Sequence, residues 1–280
     1  MPCRDCNNPA MADDSEAPGW PRIDSSVPHS ARIWNYWLGG KDNYPIDRAV
    51  GEEIKKVFPG IVLTALADRA FLGRVVWHLV HEVGVRQFLD IGTGLPTVDN
   101  THEVAQRIAP ECRIVYVDND PLVLTHARAL LTSSAEGATS YIDADVHDPE
   151  HILAQARETL DFDRPVAIML LGIVHFILDD EEAQAVVKCL VDAVPSGSYL
   201  AMTHACDFVN AEEIHANIRE WNKHGTPKMT VRSYDQVSRL FAGLDLVEPG
   251  LVSLPRWRPE ASPWGEPPEL PGICALARKP

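Results

Sequence analysis

Apolar residues recur at three- and four-residue spacing from Asp47 to Phe58 and again from Leu63 to Val83, which predicts two helices in succession. Asp47 is expected to cap the first, and Gly60 to break the chain between them. In the second, Leu66, Ala70, Val76, Leu79 and Val80 are expected to supply much of a buried face, with Asp68, Arg69, Arg74, His78 and Glu82 partly solvated. The period then changes. Short apolar runs at 87–91, 113–117, 139–143, 165–171 and 198–203 alternate with helical patterns at 97–109, 121–132, 148–160, 180–194 and 208–223. Such a rhythm predicts parallel strands with helices covering both faces of the sheet. After a helix at 233–242 there is no room for another helix between the apolar runs 244–254 and 273–278, so these are expected to form a terminal antiparallel pair. The stretch from Pro255 to Pro271 holds six prolines with Trp257 and Trp264 and must be an irregular loop, either a site wall or a surface excursion. Residues 1–26 combine Pro, Asn, Asp, Ser and Glu with few apolar residues and are expected to be a disordered tail.

The centre of this pattern is Phe88-Leu-Asp-Ile-Gly-Thr-Gly94, where an apolar strand runs into a tight glycine turn. Gly92 and Gly94 let the backbone bend and approach a ligand closely. Pro96 suits the first position of a following helix, whose N–H groups would open toward whatever lies over the glycines. The dinucleotide fingerprint G-x-G-x-x-G fits poorly, because Thr97 holds the place of the third glycine. A carboxylate at Asp90 would stabilise an ammonium or sulfonium and repel a pyrophosphate. The alternative is a bare turn that binds nothing.

In an open parallel sheet ligands bind beyond the carboxyl ends of the strands, beside the point where strand order reverses. Polar groups just past each strand are therefore the candidates. Asp118 ends the second strand, well placed for a ribose diol, with Asn119 and the potential helix cap Asp120 after it. Asp145 follows the third strand and is a candidate acceptor for an adenine amino group. His175 follows the fourth strand and His204 the fifth. Imidazole titrates near neutrality, so either is a candidate base, and for each a hydrogen-bonded structural role is the alternative.

Charge and cysteine usage narrow the partners. A formal net charge of −15 over 280 residues argues against nucleic acid, whose binding rests on neutralising phosphates with Lys and Arg. No apolar run approaches the roughly 20 residues of a membrane span, and no signal peptide opens the chain, so a cytoplasmic protein is expected. Six cysteines lack a framework spacing and are read as reduced thiols; Cys3 and Cys6 have metal-like spacing, but no second pair or nearby His supports a metal site.

Asp-x-Gly-x-Gly after the first strand, an acid after the second and Ala144-Asp-Val146 after the third resemble, in order and spacing, the class I S-adenosylmethionine (SAM)-dependent methyltransferases. More closely, Ser30-Ala-Arg-Ile-Trp-Asn-Tyr-Trp-Leu-Gly-Gly-Lys-Asp-Asn43, Phe88 to Thr97, Val115 to Pro121 and Tyr141 to Val146 resemble an uncharacterised family of SAM-dependent methyltransferases found chiefly in actinomycetes. The resemblance covers about residues 28–280. It implies a doubly wound, Rossmann-like α/β fold: a mostly parallel seven-stranded sheet with an antiparallel C-terminal strand, a helical cap or lid over 27–83 and a SAM-binding domain over 84–280. It also implies SAM as cofactor, met by Asp90, Gly92, Gly94, Asp118, Asn119 and Asp145, with Arg32, Asn43 and Arg69 contributed from the N-terminal cap.

The aromatic stretch after Ser30 is either a lid that closes over the cofactor or a helix that merely docks on the main domain. Methyl transfer is an in-line displacement, so the protein mainly positions the acceptor and excludes water. An Asn/Asp-Pro-Pro-aromatic turn after the fourth strand is absent, which leans toward a small-molecule oxygen or carbon acceptor or a different class of nitrogen acceptor. A catalytically silent SAM-binding protein is the second reading, and an NAD-dependent oxidoreductase a distant third.

Overall fold

The computed structural model describes residues 24–130, 133–263 and 265–280. Cys3, Cys6, Trp264 and residues 1–23 of the expected tail lie outside the described residues. At Asp24 the chain is held, since Arg32 Nη1 donates to the Asp24 carbonyl oxygen at 3.1 Å.

The sheet contains β1 (Gln87–Ile91), β2 (Arg113–Asp118), β3 (Ala138–Asp143), β4 (Ala167–Leu171), β5 (Tyr199–Ala205), β6 (Asp245–Leu246), β7 (Val252–Ser253) and β8 (Gly272–Arg278). Its order is β3-β2-β1-β4-β5-β8-β6, with β7 also paired to β8. The first five strands run parallel, and β8 is antiparallel to β5. Strand order reverses at β1, which has β2 on one side and β4 on the other.

The expected seventh position is shared by two strands, giving an eight-stranded sheet. β5 occupies one edge of β8 from Gly272 to Arg278, so β6 and β7 share the other edge. Pro249 and Gly250, with Gly250 at φ +85°, break the expected run 244–254 into those two pieces.

Alternation along the strands divides the core in two. Leu89, Ile91, Leu200 and Met202 face one layer, packed with α6 (Pro149–Ala156) and α7 (Asp180–Asp192). Phe88, Met169, Tyr199 and Ala201 face the other, packed with α3 (Ile61–Trp77). The same alternation puts Asp90 and Thr203 on the α3 side.

The N-terminal cap is α1 (Ser30–Trp37), α2 (Pro45–Val57) and the first turns of α3. Ile33, Trp37, Ile54, Phe58 and Ala65 form a separate apolar cluster with Trp221 of α8 (Ala211–His224). The cap is continuous with the sheet layer through α3, whose Phe71, Leu72 and Val75 pack against Phe88.

Several sequence expectations change here. Asp47 is the third helical residue of α2 rather than its cap: Asp47 Oδ2 accepts from the Tyr44 N–H at 2.8 Å. α3 buries Ile61, Ala65, Asp68, Phe71, Leu72, Val75 and Val76; Val76, with Leu79 and Val80 beyond it, is buried as expected, but Leu66 and Ala70 are exposed while Asp68 and His78 are buried. A π-helical turn over His78–Val83 ends the expected long helix. The helix after the glycine turn, α4 (Thr101–Ile108), starts later than 97. Asn100 caps it in a capping box with Glu103, so Pro96 lies in a connecting loop and not in the helix.

Candidate functional site

A cavity of about 230 Å³ opens above the carboxyl ends of β1, β2, β4 and β5 and runs under α1 and α8. Its first half is built from strand tips. Gly92 and Gly94 have φ of +76° and +65°. A Cβ on Gly92 would lie 2.7 Å from the Ile173 side chain, whereas one on Gly94 would meet nothing within 4 Å. Gly92 is thus demanded by both conformation and packing, and Gly94 by conformation at an open face.

The turn is tied to β2. The Gly92 N–H donates to the Val117 carbonyl oxygen at 2.8 Å, and the Gly94 N–H to Asp118 Oδ2 at 2.8 Å. Asp118 Oδ1 accepts from the Asp120 N–H at 3.0 Å. Burial raises the Asp118 carboxyl above its ordinary value against these two N–H bonds. Asp120 does cap α5 (Pro121–Leu130), accepting from the Leu122 N–H at 2.8 Å. Its other oxygen lies 2.9 Å from His29 Nδ1, which fixes the start of α1 to the tip of β2. Burial pushes the Asp120 carboxyl up, but the His29 contact outweighs it and the net direction is down.

Asp90 is buried and accepts from Thr101 Oγ1 at 2.6 Å. Burial pushes its carboxyl up to about 6, with Asp118 and Asp68 adding to the rise and the Thr101 bond and the Arg69 charge opposing it. At the rim Asn119 Nδ2 donates to Asp145 Oδ2 at 2.8 Å. Asp145 also receives the backbone N–H of His147 at 2.9 Å, and burial of its carboxyl is outweighed by the His147 bonds, which lower it.

Six of the predicted cofactor residues, Asp90, Gly92, Gly94, Asp118, Asn119 and Asp145, line this half together, and Arg69 lines it from α3. Arg69 Nη2 also donates to the carbonyl oxygens of Val98 and Asp99 at 3.2 and 3.0 Å, bracing the loop after the glycines.

Arg32 and Asn43 are not among the lining residues. The Arg32 guanidinium is consumed inside the cap by the carbonyl oxygens of Asp24 and Val27 and by Asp47, whose Oδ1 lies 3.3 Å from Nε. Asn43 Nδ2 donates to Asn35 Oδ1 and to the Gly40 carbonyl oxygen, both at 3.0 Å. The Gly-Gly-Lys-Asp-Asn segment therefore wraps the buried Asn35 side chain, and a Cβ on Gly40 would fall 2.3 Å from it. The second part of the family-like segment shapes the cap, while Trp34, Asn35 and Trp37 of its first part reach the cavity.

The second half lies beyond β4 and β5. Trp34, Trp37, Phe58, Phe176 and Trp221 supply aromatic walls, with Met229 alongside. His175 is in a 3₁₀ turn after β4 and lines the cavity; its Nδ1 is buried with no hydrogen-bond partner. Burial, with His204 and Arg232 nearby, holds its imidazole well below the usual range, so it is neutral at pH 7.

His204 differs. Its Nδ1 donates to the Ala205 carbonyl oxygen at 2.7 Å, and its Nε2 accepts from Arg232 Nη1 at 2.9 Å. Burial lowers it to about 4, helped by Arg232 and opposed by the Ala205 bond. Both ring nitrogens are committed, so the candidacy of His204 as a base fails and it is a supporting histidine.

Arg232 was not singled out in the sequence. It is buried and donates from Nε to Asp180 Oδ1 at 2.8 Å, and from Nη2 to the Ile177 carbonyl oxygen at 2.8 Å. The segment carrying it runs beside β5, and the Thr230 N–H donates to the His175 carbonyl oxygen at 2.8 Å. Arg232 thereby braces the turn that presents His175. Asp68, expected to be partly solvated, instead lines the cavity from the buried stripe of α3. Asn217 of α8 lines it too, with Oδ1 buried and unpartnered. No local motif announces Arg232 or Asn217, and Asp68 is found only from the face that α3 buries.

The sheet order, the acid-glycine turn at its reversal point and the acids at the next strand tips define a class I, Rossmann-like methyltransferase. The family model for S-adenosyl methyltransferases matches residues 16–280, and the chain belongs to that family. It is a SAM-dependent methyltransferase. Among solved structures it is similar to a DUF574-family protein from Streptomyces avermitilis, with 44% identity, 92% of this chain and 100% of that chain covered and a TM-score of 0.88. It is also similar to a candidate methyltransferase from Thermobifida fusca, with 41% identity, 92% and 97% covered and a TM-score of 0.84. A comparison with curated proteins gave no match. Among the described residues no helix is long and apolar enough to cross a membrane.

Proposed function

We infer that this enzyme transfers the SAM methyl group to a small, largely apolar molecule held under α1 and α8. The observation that carries this reading is the division of one cavity into an acidic half over the glycine turn and an aromatic half beyond β4 and β5. A cavity of that character, mostly apolar with a few placed polar groups, is what small-molecule sites look like.

The acidic half fits SAM. Asp118 would accept from the ribose hydroxyls while it holds the glycine turn through Gly94. Asp90 would face the methionyl ammonium and Arg69 its carboxylate, a pairing that offsets the burial of Asp90. Asn119 and Asp145 stand at the rim for the adenine. Bound SAM supplies a methyl group on a sulfonium, a good leaving group. The chain's own residues orient the acceptor against it and exclude water beneath the aromatic roof. His175, with Nδ1 unpartnered in the acceptor half, is the candidate to relay a proton from an acceptor that must lose one, only in passing because burial disfavours its cation.

Release of S-adenosylhomocysteine (SAH) over a panel of small nucleophiles tests the reading. Turnover with a small molecule supports it. Tight SAM binding with no turnover on any of them would favour the silent SAM-binding alternative.

A further inference from the structure

Under the small-molecule reading, the aromatic half has a recognisable ligand chemistry. Asp68 is at least nine-tenths buried and faces the cavity from α3. Among the described residues it makes no ion pair, and the charge that acts on it is that of Arg69, the next residue of α3. Thr203 Oγ1 lies beside its carboxylate. Farther along the same cavity Asn217 Oδ1 and His175 Nδ1 are buried and unpartnered.

Asp68 and Asn217 Oδ1 can only accept, and Thr203 Oγ1 and a neutral His175 Nδ1 can accept as well as donate. A ligand that satisfies them must bring donors. An ammonium brings up to three, a hydroxyl one and a carboxylate or phosphate none. The charges point the same way: Asp68, Asp90, Asp118 and Asp145 line the cavity, and the one arginine that lines it among the described residues, Arg69, is braced on backbone carbonyls and faces the place proposed for the SAM carboxylate. Three tryptophans and two phenylalanines in the walls offer π faces that attract a cation and accommodate an apolar body. An anion would meet carboxylates and the negative faces of rings.

We propose that the methyl acceptor is an amine with an apolar or aromatic body, received by Asp68 and Asn217 within the aromatic walls of the cavity. The turn after β4 offers no Asn or Asp acceptor of its own, and α3 and α8 supply the acceptors in its place. For transfer the ammonium first loses one proton to bulk water, with His175 Nδ1 as a relay whose cation burial does not let persist. The nitrogen lone pair then forms the new N–C bond as the C–S bond breaks and its electron pair goes to sulfur, leaving SAH and a methylammonium. Asp68 balances the positive charge before and after.

The test uses the full-length enzyme saturated with SAH and three matched probes: tryptamine, tryptophol and indole-3-propionate, titrated by calorimetry at pH 7.5. Expected is tryptamine at least about tenfold tighter than tryptophol, with indole-3-propionate the weakest. In Asp68→Asn the amine-over-alcohol preference should collapse to within about twofold while SAH affinity holds within about threefold. The wild-type ranking decides by itself should that variant fail to fold. Equal binding of all three probes would overturn the amine assignment and leave the small-molecule reading standing, whereas binding of none beside tightly bound SAH would overturn both. An Asp68→Asn variant that loses SAH as steeply as tryptamine would place Asp68 at the methionine end of SAM and also overturn the assignment.

Discussion

The two halves of the cavity are built in different ways. The half over the glycine turn comes from strand tips, each carrying its polar group within a residue or two of the strand end: Asp90, Asp118, Asn119 and Asp145. The half beyond β4 and β5 is assembled from separate segments of chain, with Asp68 from α3, His175 from a turn, Asn217 and Trp221 from α8, and Arg232 bracing from behind. In the first half, function is nearly inseparable from backbone geometry. In the second, the site exists only after helices from both ends of the chain have packed, so its chemistry can vary without disturbing the sheet.

The sharpest way to break this contrast is at Gly92. A Cβ there meets Ile173 at 2.7 Å and forces φ +76° on an L-residue, each costing on the order of 1–3 kcal/mol. Gly92→Ala is expected to abolish measurable SAM binding and to lower the thermal midpoint; retention of wild-type affinity by calorimetry would mean that the turn is not the floor of the SAM site.

The next largest effect separates the two histidines. His175→Ala is expected to cut turnover by roughly 10²-fold with SAM affinity nearly unchanged. His204→Ala instead leaves Arg232 without one of its acceptors and should show chiefly as lost thermal stability, on the order of 1–3 kcal/mol. If the two variants lose turnover and stability alike, His175 is structural as well.

Asp118→Ala sharpens the first half. Loss of charge-assisted hydrogen bonds should cost about 1.5–3 kcal/mol, ten- to a hundredfold in affinity, for SAM and adenosine alike. A loss confined to SAM would place the ribose elsewhere.

The sequence exposed these halves unequally for the same physical reason. Strand periodicity and the acid-glycine turn are local, so β1 to β5, Asp90, Gly92, Gly94 and Asp118 could be read from a few adjacent residues. The split of the last edge between β6 and β7 depended on Pro249 and Gly250 inside a run that otherwise looks continuous. Arg32 and Asn43 were expected as ligand residues because the family resemblance of the segment that carries them implied it. In the fold they are spent on Asp47 and Asn35, which shape the cap. The first part of the α3 stripe was misplaced because that helix is apolar on nearly every side, so its sequence does not say which face packs. Asn217 and Arg232 acquire meaning only from contacts with distant segments.

A smaller effect concerns pH. The Asp90 carboxyl titrates at about 6 in the folded protein, above its ordinary value of 3.8, because it is buried. Folding therefore favours its protonated form: that contribution is full below about 3.8 and is lost as pH rises through about 6. Asp90→Asn should consequently stabilise the ligand-free protein at pH 7, by up to about 3 kcal/mol, and leave it little changed at pH 4. Denaturant titrations at the two pH values check this, and equal effects at both would contradict the buried-charge account.

The most direct test of the central claim, that an ionised Asp90 receives the cationic end of SAM at the head of the glycine turn, is calorimetry of Asp90→Asn against wild type with SAM and with adenosine from pH 5 to 7.5. Wild-type SAM affinity should climb with pH toward about 6, by up to about tenfold per pH unit, and then level off. In Asp90→Asn the climb should vanish and SAM should weaken far more than adenosine. An Asp90→Asn variant that binds SAM as tightly as wild type at pH 7.5, with the climb intact, would contradict the orientation of SAM on which both halves of the site depend.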